Sequence, residues 1–334
     1  MSADREIRWG IVGPGRIAAK VVADFEHVPG ARAVAVASRS VDRAQAFATE
    51  HGLERGYGSY AEMMGDPDVD ALYIATPHPQ HHAVAVRALE AGKAVLVEKT
   101  FTATVAGAQD IVTTAQQNKV FAMEAMWTRF QPAIIAAREL VEDGAIGEVR
   151  QVQADLGVNQ PFNPSDRLFD LAQGGGAMLD LGVYVVSFAQ YWLGDPYRVT
   201  ATGSLGPTGV DLEAGVLLSY EDGRAATLLM SLRHYTPGAA RIHGTLGWID
   251  VRPRFHHPKT IVLNRPGHEP EEITRAPIGG GYAHELIEVT ECVRAGRAES
   301  EIMPLRDTLA VQHILNEACD QLGVHHSEDS DVEV

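Results

Sequence analysis

The fold of this chain is decided by one stretch near its start, Ile7-Arg8-Trp9-Gly10-Ile11-Val12-Gly13-Pro14-Gly15-Arg16-Ile17-Ala18. The first half of the stretch carries the apolar residues of a buried strand, and residues 17–25 continue with helical spacing. Glycines lie between the two. The stretch therefore predicts a strand, a tight turn and a helix, in that order.

The glycines match the dinucleotide-binding fingerprint, Gly13-x-Gly15-x-x-Ala18. Gly13 permits the turn, Gly15 lets the backbone approach a pyrophosphate, and the small Ala18 lets the helix pack close to the strand. The first helical residues, Arg16 and Ile17, bring backbone N–H groups and the positive end of the helix dipole to the phosphates. A glycine-rich turn without a ligand is the alternative, but the strand before it and the helix after it favour a dinucleotide site.

Length and composition indicate a globular protein with two domains. A chain of 334 residues is longer than the chain that a single hydrophobic core usually supports. Hydrophobic residues make up 45% and charged residues 22%. Asp and Glu outnumber Lys and Arg by 44 to 28, and the formal net charge of -16 argues against a nucleic-acid or anionic-membrane partner.

The sequence also favours a cytoplasmic location. The N-terminal residues are polar and do not resemble a signal peptide. No uninterrupted run reaches the roughly 18 apolar residues of a membrane helix. Cys292 and Cys319 are the only cysteines and stand in no paired motif, so neither a disulfide framework nor a zinc site is expected.

The first part of the chain alternates short β-rich runs with helical stretches, which is the pattern of a parallel sheet with crossover helices. We therefore expect an α/β Rossmann domain, with a doubly wound parallel sheet, over residues 1–124. Its predicted strands are 7–12, 33–38, 71–75, 94–98 and 120–123, and its predicted helices are 18–25, 41–51, 60–64, 81–91 and 104–117.

The pattern changes after residue 124. Runs at 151–156, 198–205, 216–220, 225–232, 240–246, 248–251 and 260–263 follow one another almost without helices between them, as in an antiparallel sheet. Residues 125–324 are predicted to form an α+β domain with a large, mostly antiparallel, open sheet. Its C-terminal helices could pack back on the first domain. For the acidic tail, residues 325–334, we expect disorder.

The residues after the second strand favour NADP over NAD. An NAD site usually has an acid about 20 residues after the glycines, on the ribose 2′-hydroxyl, whereas an arginine accommodates a 2′-phosphate. Here Ser38 and Arg39 stand near that distance, with Arg43 one helical turn further on. Arg39 could instead be an exposed loop arginine in an enzyme that is indifferent to the phosphate.

A histidine-rich segment, Thr76-Pro77-His78-Pro79-Gln80-His81-His82, follows the third predicted strand. Ligands of open parallel sheets bind beyond the carboxyl ends of the strands. We therefore expect a backbone turn in which Thr76, Pro77, His78 and His81 line the nicotinamide half of the cofactor. Three histidines also suggest a metal site, but neither an acid nor a cysteine lies close by in the sequence, so no metal is expected.

Glu98 and Lys99 follow the fourth predicted strand. An acid and a lysine at the end of a buried strand would project into the crevice that holds the cofactor. A strand-end lysine in solvent is the plain alternative. The position favours a catalytic lysine.

A second constellation lies in the later domain. Gly174-Gly175-Gly176 precedes an apolar-periodic helix, and such glycines indicate that the backbone closely approaches a flat or bulky group. Asp180 and Tyr184 are four residues apart and share one helix face. They could handle a proton as a pair, or Tyr184 could be a core tyrosine whose hydroxyl is satisfied by Asp180.

Hydride transfer would explain both constellations. Oxidation of a secondary alcohol needs a hydride acceptor and a positioned base for the hydroxyl proton. A phenol with a pKa near 10 is a poor base at neutral pH, and a nearby ammonium group favours the phenolate. Lys99 next to Tyr184 would have this effect.

These motifs, in this order, resemble the glucose–fructose oxidoreductase/inositol dehydrogenase (Gfo/Idh/MocA) family over nearly the whole chain. The segment Met123-Glu124-Ala125-Met126-Trp127-Thr128-Arg129-Phe130, with Tyr184 in place of the histidine of inositol dehydrogenases, looks most like the branch of dimeric dihydrodiol dehydrogenases and NADP-dependent D-xylose dehydrogenases. Many members have proline after Glu-Lys where this chain has Thr100, which lacks the fixed φ of proline.

The resemblance implies the composition of the site. Lys99 and Tyr184 would be the catalytic pair, with Asp180 and Trp127 near the substrate; Trp127 and Glu98 would also lie beside the cofactor. The open face of the antiparallel sheet would form a homodimer.

We therefore predict an NADP-dependent oxidoreductase acting on a secondary alcohol of a sugar or cyclic vicinal diol, with Tyr184 as acid/base and Lys99 assisting it. Trp127 and Phe162 could form an apolar wall for the substrate, and Arg129, Arg167 and His234 could meet its hydroxyl groups or a carboxylate. Each of these residues could equally be a surface or core residue. Two alternatives stay open: an NAD-dependent inositol or aldose dehydrogenase and, from another class, an NADP-binding regulatory protein without turnover.

Overall fold

The computed structural model describes residues 5–329, 332 and 334. The chain divides into two compact units. The first comprises Met1–Ala125, Ile278–Leu309 and Ser327–Val334, and the second comprises Met126–Pro277 and Ala310–His326. The first unit therefore includes a segment from the C-terminal part of the chain.

The elements follow one another in two different patterns. Strands and helices alternate in β1 (Ile7–Val12), α1 (Arg16–Asp24), β2 (Ala31–Ala37), α2 (Val41–His51), β3 (Arg55–Tyr57), α3 (Tyr60–Met64), β4 (Ala71–Ile74), α4 (His78–Glu90), β5 (Ala94–Glu98), α5 (Val105–Asn118) and β6 (Ala122–Ala125). The next part of the chain consists mainly of strands. Its elements are α6 (Pro132–Glu142), β7 (Val149–Gly157), α7 (Val183–Leu193), β8 (Arg198–Leu205), β9 (Asp211–Ser219), β10 (Ala225–Ser231), β11 (Ala240–Gly244), β12 (Trp248–Val251), β13 (Thr260–Asn264) and β14 (Glu271–Thr274). The helices α8 (Ala283–Ala295) and α9 (Leu305–Leu322) end the series.

The first unit contains a parallel sheet. Within the described residues it has six strands in the order β3-β2-β1-β4-β5-β6, and every neighbouring pair is parallel. The chain order reverses between β1 and β4, which makes this the switch point at which doubly wound sheets bind ligands. Ile7, Trp9 and Ile11 of β1 are fully buried, as expected for a central strand of such a sheet.

The second unit contains a mostly antiparallel sheet. Its strands, in the part of the chain that the structure describes, have the order β14-β13-β12-β11-β7-β10-β9-β8. β7 and β10 are parallel, and the other neighbours are antiparallel. The predicted fold class is confirmed for both units. The sequence interpretation missed the short strands β3 and β14.

Helix α7 packs on β7 and β10 of that sheet. Alternate residues of β10, such as Ala226, Leu228 and Met230, are buried, while Thr227 and Leu229 between them are exposed on the other face. The helical stretch Leu171–Leu193 is long and apolar enough to cross a membrane, but 72% of its most apolar window is buried inside the protein. Burial of this kind is typical of the core helix of a folded domain.

The C-terminal tail differs from the expected disorder in its described part. The Glu328 carboxylate accepts hydrogen bonds from the backbone N–H and the hydroxyl of Thr104, both at 2.8 Å. The Asp329 N–H donates to the Pro79 carbonyl at 2.8 Å, and Val332 joins the apolar core of the first unit. The acidic composition of the tail gives no sign of these hydrogen bonds or of this apolar contact. Residues 330, 331 and 333 of the tail lie outside the described residues, as do residues 1–4.

Candidate active site

The turn after β1 requires glycine at its first position. Gly13 has a φ of +90°, and its N–H donates to the Ala37 carbonyl at 3.0 Å. A Cβ on Gly13 would stand 3.0 Å from the Ala75 carbonyl oxygen. A side chain is therefore excluded by both the backbone conformation and the neighbouring strand end.

Gly15 has a different environment. A Cβ built on it meets no heavy atom within 4 Å, so the space in front of this backbone is open. Gly15 is the N-cap of α1 and no side chain caps that helix, which leaves its first N–H groups to a ligand. Arg16 is exposed and Ile17 partly buried at the same helix start. These residues fit the pyrophosphate of a dinucleotide.

Two exposed arginines follow β2, Arg39 in the turn after the strand and Arg43 in the first turn of α2. The Ser38 hydroxyl is buried and accepts a hydrogen bond from the Ser40 N–H at 3.3 Å, which shapes the turn into α2. Burial raises the pKa of Tyr60, and the positive charges of Arg39 and Arg43 oppose this rise. The positive charges of both guanidinium groups therefore affect the same side chain, Tyr60, at the carboxyl edge of the sheet.

The predicted nicotinamide-lining residues divide into two groups. Thr76 and Pro77 form the turn after β4, and His78 begins α4 with its side chain buried. The ring nitrogens of His81, by contrast, face backbone carbonyls inside the unit. Nδ1 lies 3.0 Å from the Thr100 oxygen and Nε2 lies 2.7 Å from the Thr76 oxygen.

The third histidine of this segment points elsewhere. His82 Nε2 lies 2.7 Å from the Asp110 carboxylate, and Asp110 is largely exposed. Residues 5–329, 332 and 334 contain no group of three or more His, Cys, Asp or Glu side chains placed to hold a metal ion.

Glu98 is partly buried at the end of β5. The Tyr73 hydroxyl donates a short hydrogen bond to it, and the Lys99 N–H donates to Glu98 Oε2 at 3.1 Å. Burial raises the pKa of Glu98, and the Tyr73 hydrogen bond and the Lys99 charge oppose the rise. The Lys99–Thr100 peptide bond is cis. Lys99 thus stands beside a carboxylate at the predicted strand end.

A buried acid near this position was missed by the sequence interpretation. Glu285 on α8 is 1% exposed, and its pKa is held well above the usual range by burial and by the negative charges of Glu98, Asp24 and Glu124. The one sign of Glu285 in the sequence is an acidic residue on the apolar face of a helix. Burial and neighbouring negative charges both favour the protonated form of such an acid.

The glycines of the second unit closely approach the protein's own chain. A Cβ on Gly175 would collide with the Arg167 carbonyl, and one on Gly176, whose φ is +120°, would collide with the Asp211 carboxylate. Asp211 is fully buried, and its Oδ2 accepts a hydrogen bond from the Met178 N–H at 2.6 Å. Burial raises the pKa of Asp211 to about 6. The flat or bulky group that the glycines predict is this carboxylate together with the Arg167 segment.

The helix that follows starts with a π-helical turn, Met178–Gly182, a feature often found at functional sites. Asp180 lies in this turn and is buried. Arg167 donates to its two oxygens, from Nη2 at 2.6 Å and from Nη1 at 3.2 Å. Asp180 is therefore held as one half of a bidentate ion pair.

Tyr184 contacts an aromatic cluster of Trp127, which the sequence interpretation names, and two histidines that it missed. Its ring centroid lies 4.9 Å from that of His256, which lies 4.4 Å from that of His257. The Trp127 ring meets His257 edge-on at 4.9 Å. The Thr128 hydroxyl donates to the His256 carbonyl at 2.8 Å and holds this loop. Burial lowers the pKa of His257.

Arg129 and Phe162 have different surroundings. Arg129 is 2% exposed, its Nη2 donates to Gln190 Oε1 at 2.7 Å, and its guanidinium lies 4.9 Å from the Tyr191 ring centroid. Arg129 is thus a core residue of the second unit rather than a surface available to hydroxyl groups. Phe162 is 46% exposed, in edge contact with Phe169 at 5.1 Å.

The predicted site residues are distributed over both units. The cofactor candidates up to Lys99 belong to the first, and Trp127, Asp180 and Tyr184 belong to the second. The second unit brings Trp127 and Tyr184 into one cluster through the two histidines.

Two family models match the chain. One, described as an oxidoreductase family with an NAD-binding Rossmann fold, matches residues 7–126. The other, the GFO/IDH/MocA C-terminal domain, matches residues 134–250.

Individual relatives match over nearly the full length. Trans-1,2-dihydrobenzene-1,2-diol dehydrogenase of Mus musculus is 36% identical, and that of Homo sapiens is 35% identical, each over 97% of this chain and 99% of the relative. Among solved structures, aldose-aldose oxidoreductase from Caulobacter crescentus has a TM-score of 0.85 at 26% identity, covering 95% of this chain and 97% of its own. A 3-ketoreductase from Actinomadura kijaniata, in complex with NADP and TDP-benzene, has a TM-score of 0.82 at 25% identity, covering 97% and 98%. The chain therefore belongs to the Gfo/Idh/MocA family of oxidoreductases, as the motifs predict.

Proposed function

We propose that this protein is an NADP-dependent oxidoreductase acting on a secondary alcohol, or the matching carbonyl, of a sugar or cyclic vicinal diol. The observation that carries the proposal is the contact of Tyr184 with the aromatic cluster of Trp127, His256 and His257. Flat rings around a phenol suit a compact ring substrate with one hydroxyl on the phenol. The names of the relatives, a diol dehydrogenase and a 3-ketoreductase, support the same substrate class.

The proposal gives proton transfer to Tyr184. Bound NADP would accept the hydride from the alcohol carbon or return it to the carbonyl. Tyr184 takes the hydroxyl proton in one direction and donates it in the other. Lys99 favours the phenolate through its positive charge. The Asp180 carboxylate, fixed by Arg167, orients a substrate hydroxyl.

The test is Tyr184→Phe, assayed by NADP reduction over a panel of aldoses, inositols and cyclic vicinal diols, with NAD in parallel. We expect kcat to fall by about 100-fold or more, the usual contribution of a positioned acid/base, with the Kd for NADPH unchanged. Tyr197→Phe, at an exposed tyrosine, is the matched control. Full activity of Tyr184→Phe would move the proton-transfer role to Lys99. Tight NADPH binding without turnover by the unaltered protein on any substrate would favour the regulatory alternative.

The preference for NADP is assigned to Arg39 and Arg43. Their exposed guanidinium groups follow β2, where a 2′-phosphate would lie. Arg39→Asp should weaken NADPH binding at least about 10-fold more than NADH binding. Arg87→Asp, at an exposed arginine near the end of α4, controls for the change of net charge. Equal losses for both cofactors would contradict the assignment and favour an NAD-linked enzyme.

We further propose a homodimer through the open face of the second sheet. Leu217 and Leu229 are 39% and 40% exposed there, beside a depression of about 350 Å³ lined partly by Thr227 and Arg241. Leu229→Glu should give a monomer in analytical ultracentrifugation, and Leu246→Glu, in the turn before β12, should not. A monomeric unaltered protein would refute the dimer. The cytoplasmic location stays a prediction, to be tested by cell fractionation.

A further inference from the structure

His81 joins two segments that end neighbouring strands of the first sheet. It lies on α4 and is 0% exposed. Its Nδ1 is 3.0 Å from the carbonyl oxygen of Thr100, the residue after Lys99. Its Nε2 is 2.7 Å from the carbonyl oxygen of Thr76, which follows β4.

The chemistry of the ring limits how both contacts can form. A neutral imidazole carries one N–H, and its other nitrogen is an acceptor. A carbonyl oxygen only accepts, so in a neutral ring one lone pair would face another at 3.0 Å or less. An imidazolium donates from both nitrogens and satisfies both carbonyls with charge-assisted hydrogen bonds.

We propose that His81 is a positioning residue for Lys99: as a doubly protonated imidazolium, it ties the Thr100 carbonyl to the Thr76 carbonyl and so fixes the Lys99–Thr100 segment. This assignment replaces the predicted cofactor contact of His81. It rests on the proposed function only in taking Lys99 as catalytic.

The segment needs such an external tie. Thr100 does not restrict its own φ as proline would, and Lys99 has a long, flexible side chain. A displacement of about 1 Å at a reacting group can cost about 100-fold in rate. A hydrogen bond to the carbonyl that directly follows Lys99 acts on the backbone from which this side chain extends.

Replacing His81 by Asn or by Gln tests the hydrogen bonds to Thr100 and Thr76 separately. Asn places its amide nitrogen near the position of Nδ1, and Gln places it near that of Nε2. His81→Asn therefore keeps the bond to Thr100, and His81→Gln keeps only the bond to Thr76. His82→Gln is the matched control because His82 is adjacent and pairs with the largely exposed Asp110.

We expect His81→Asn to keep kcat within about 10-fold and His81→Gln to lose about 100-fold, because only the first still holds Thr100. The KM for NADP, and the Kd for NADPH measured by fluorescence, should change less than about 3-fold in both. His82→Gln should resemble the unaltered protein. Equal loss of kcat in both His81 variants, or loss of NADPH binding in both, would overturn the proposal.

A second measurement does not depend on turnover. In the unaltered protein labelled with ¹⁵N-histidine, the His81 ring should show both nitrogens protonated at about pH 7.5, with and without NADPH. The resonance is assigned by its disappearance in His81→Asn. A neutral His81 ring would overturn the proposal even if the enzyme turns over as proposed. A charged ring in a protein that turns over no substrate would instead locate the failure in the proposed function.

Discussion

Asp211→Asn removes one buried charge from beneath the segment that carries Asp180 and Tyr184. Asp211 is fully buried, and its Oδ2 accepts the Met178 N–H at 2.6 Å. Burial raises the pKa of Asp211 from 3.8 to about 6. Asn has nearly the same size and keeps an oxygen that can accept this hydrogen bond. The substitution therefore tests the charge separately from the shape.

The size of the effect follows from the two pKa values. The Asp211 carboxyl binds its proton more tightly in the folded chain than in the unfolded chain, so protonation favours folding. This contribution to the free energy of unfolding is complete below about pH 3.8 and is lost as the pH rises through about 6. The loss is about 1.4 kcal/mol per pH unit in that interval, or about 3 kcal/mol in total. Asn has no corresponding proton, so its stability lacks this dependence.

The assay is urea unfolding at several pH values between about 4.5 and 7.5. The free energy of unfolding of Asp211→Asn minus that of the unaltered protein should increase with pH and level off above about pH 6.5. The side-chain NH2 group of the introduced Asn can cost about 1–3 kcal/mol if it is left without a hydrogen-bond acceptor. That cost is independent of pH, so it shifts the whole plot of the free-energy difference against pH without changing its slope.

Asp222→Asn is the control for this slope. The Arg224 N–H lowers the pKa of the exposed Asp222 carboxyl, so any pH dependence of that difference should have the opposite sign. A difference for Asp211→Asn that stays constant over the whole pH range would refute the reasoning, because the Asp211 carboxyl would then have the same proton affinity in the folded and unfolded chains.

Three further substitutions or treatments test other parts of the structure. Arg167→Met removes both hydrogen bonds to Asp180. Because Arg167 is one-third exposed, we expect the free energy of unfolding in urea to fall by roughly 1–3 kcal/mol and the KM for the substrate to rise. An unchanged free energy of unfolding would contradict the pairing. Gly15→Ala should leave Tm within about 1 °C, since its Cβ meets no atom within 4 Å, but should weaken NADPH binding about 10-fold or more in a fluorescence titration. Burial raises the pKa of the Cys292 thiol to about 12 and that of Cys319 well above its usual range, so Ellman's reagent should label neither before unfolding.

The fold was predictable because its main elements have clear local patterns. The alternation of apolar runs with helical periods gave α2 and the strands β1, β5, β8 and β12 with their observed bounds. The missed strands are short and lie at sheet edges. β3 has three residues with glycine in the middle, and β14 has two consecutive glutamates. An edge strand is paired on one side only and needs little apolar character, so its sequence carries little signal.

The sequence indicated candidate site residues only through local patterns. Strand ends indicated Arg39 and Lys99, and the helix period indicated Asp180 with Tyr184, whereas the structure pairs Asp180 with Arg167 and Tyr184 with His256. Partners from distant parts of the chain were missed. The Thr128 hydroxyl reaches the His256 carbonyl across 128 positions, and Arg129 reaches Gln190 across 61. Such pairs form only when the unit folds, so a single sequence does not show whether an arginine faces a substrate or the core.

The glycines show this limit most clearly. A glycine in a motif indicates that some atom comes close to the backbone, but not whether that atom belongs to a ligand or to the chain. At Gly15 a Cβ would meet no atom of the chain within 4 Å, so the close partner that we propose is the bound cofactor. At Gly176 it would enter the Asp211 carboxylate, so the close partner is already present. Alanine should therefore have opposite effects at the two positions. At Gly15 it should weaken cofactor binding and leave stability unchanged, whereas at Gly176 it should destabilise the second unit and leave NADPH affinity unchanged in the protein that remains folded.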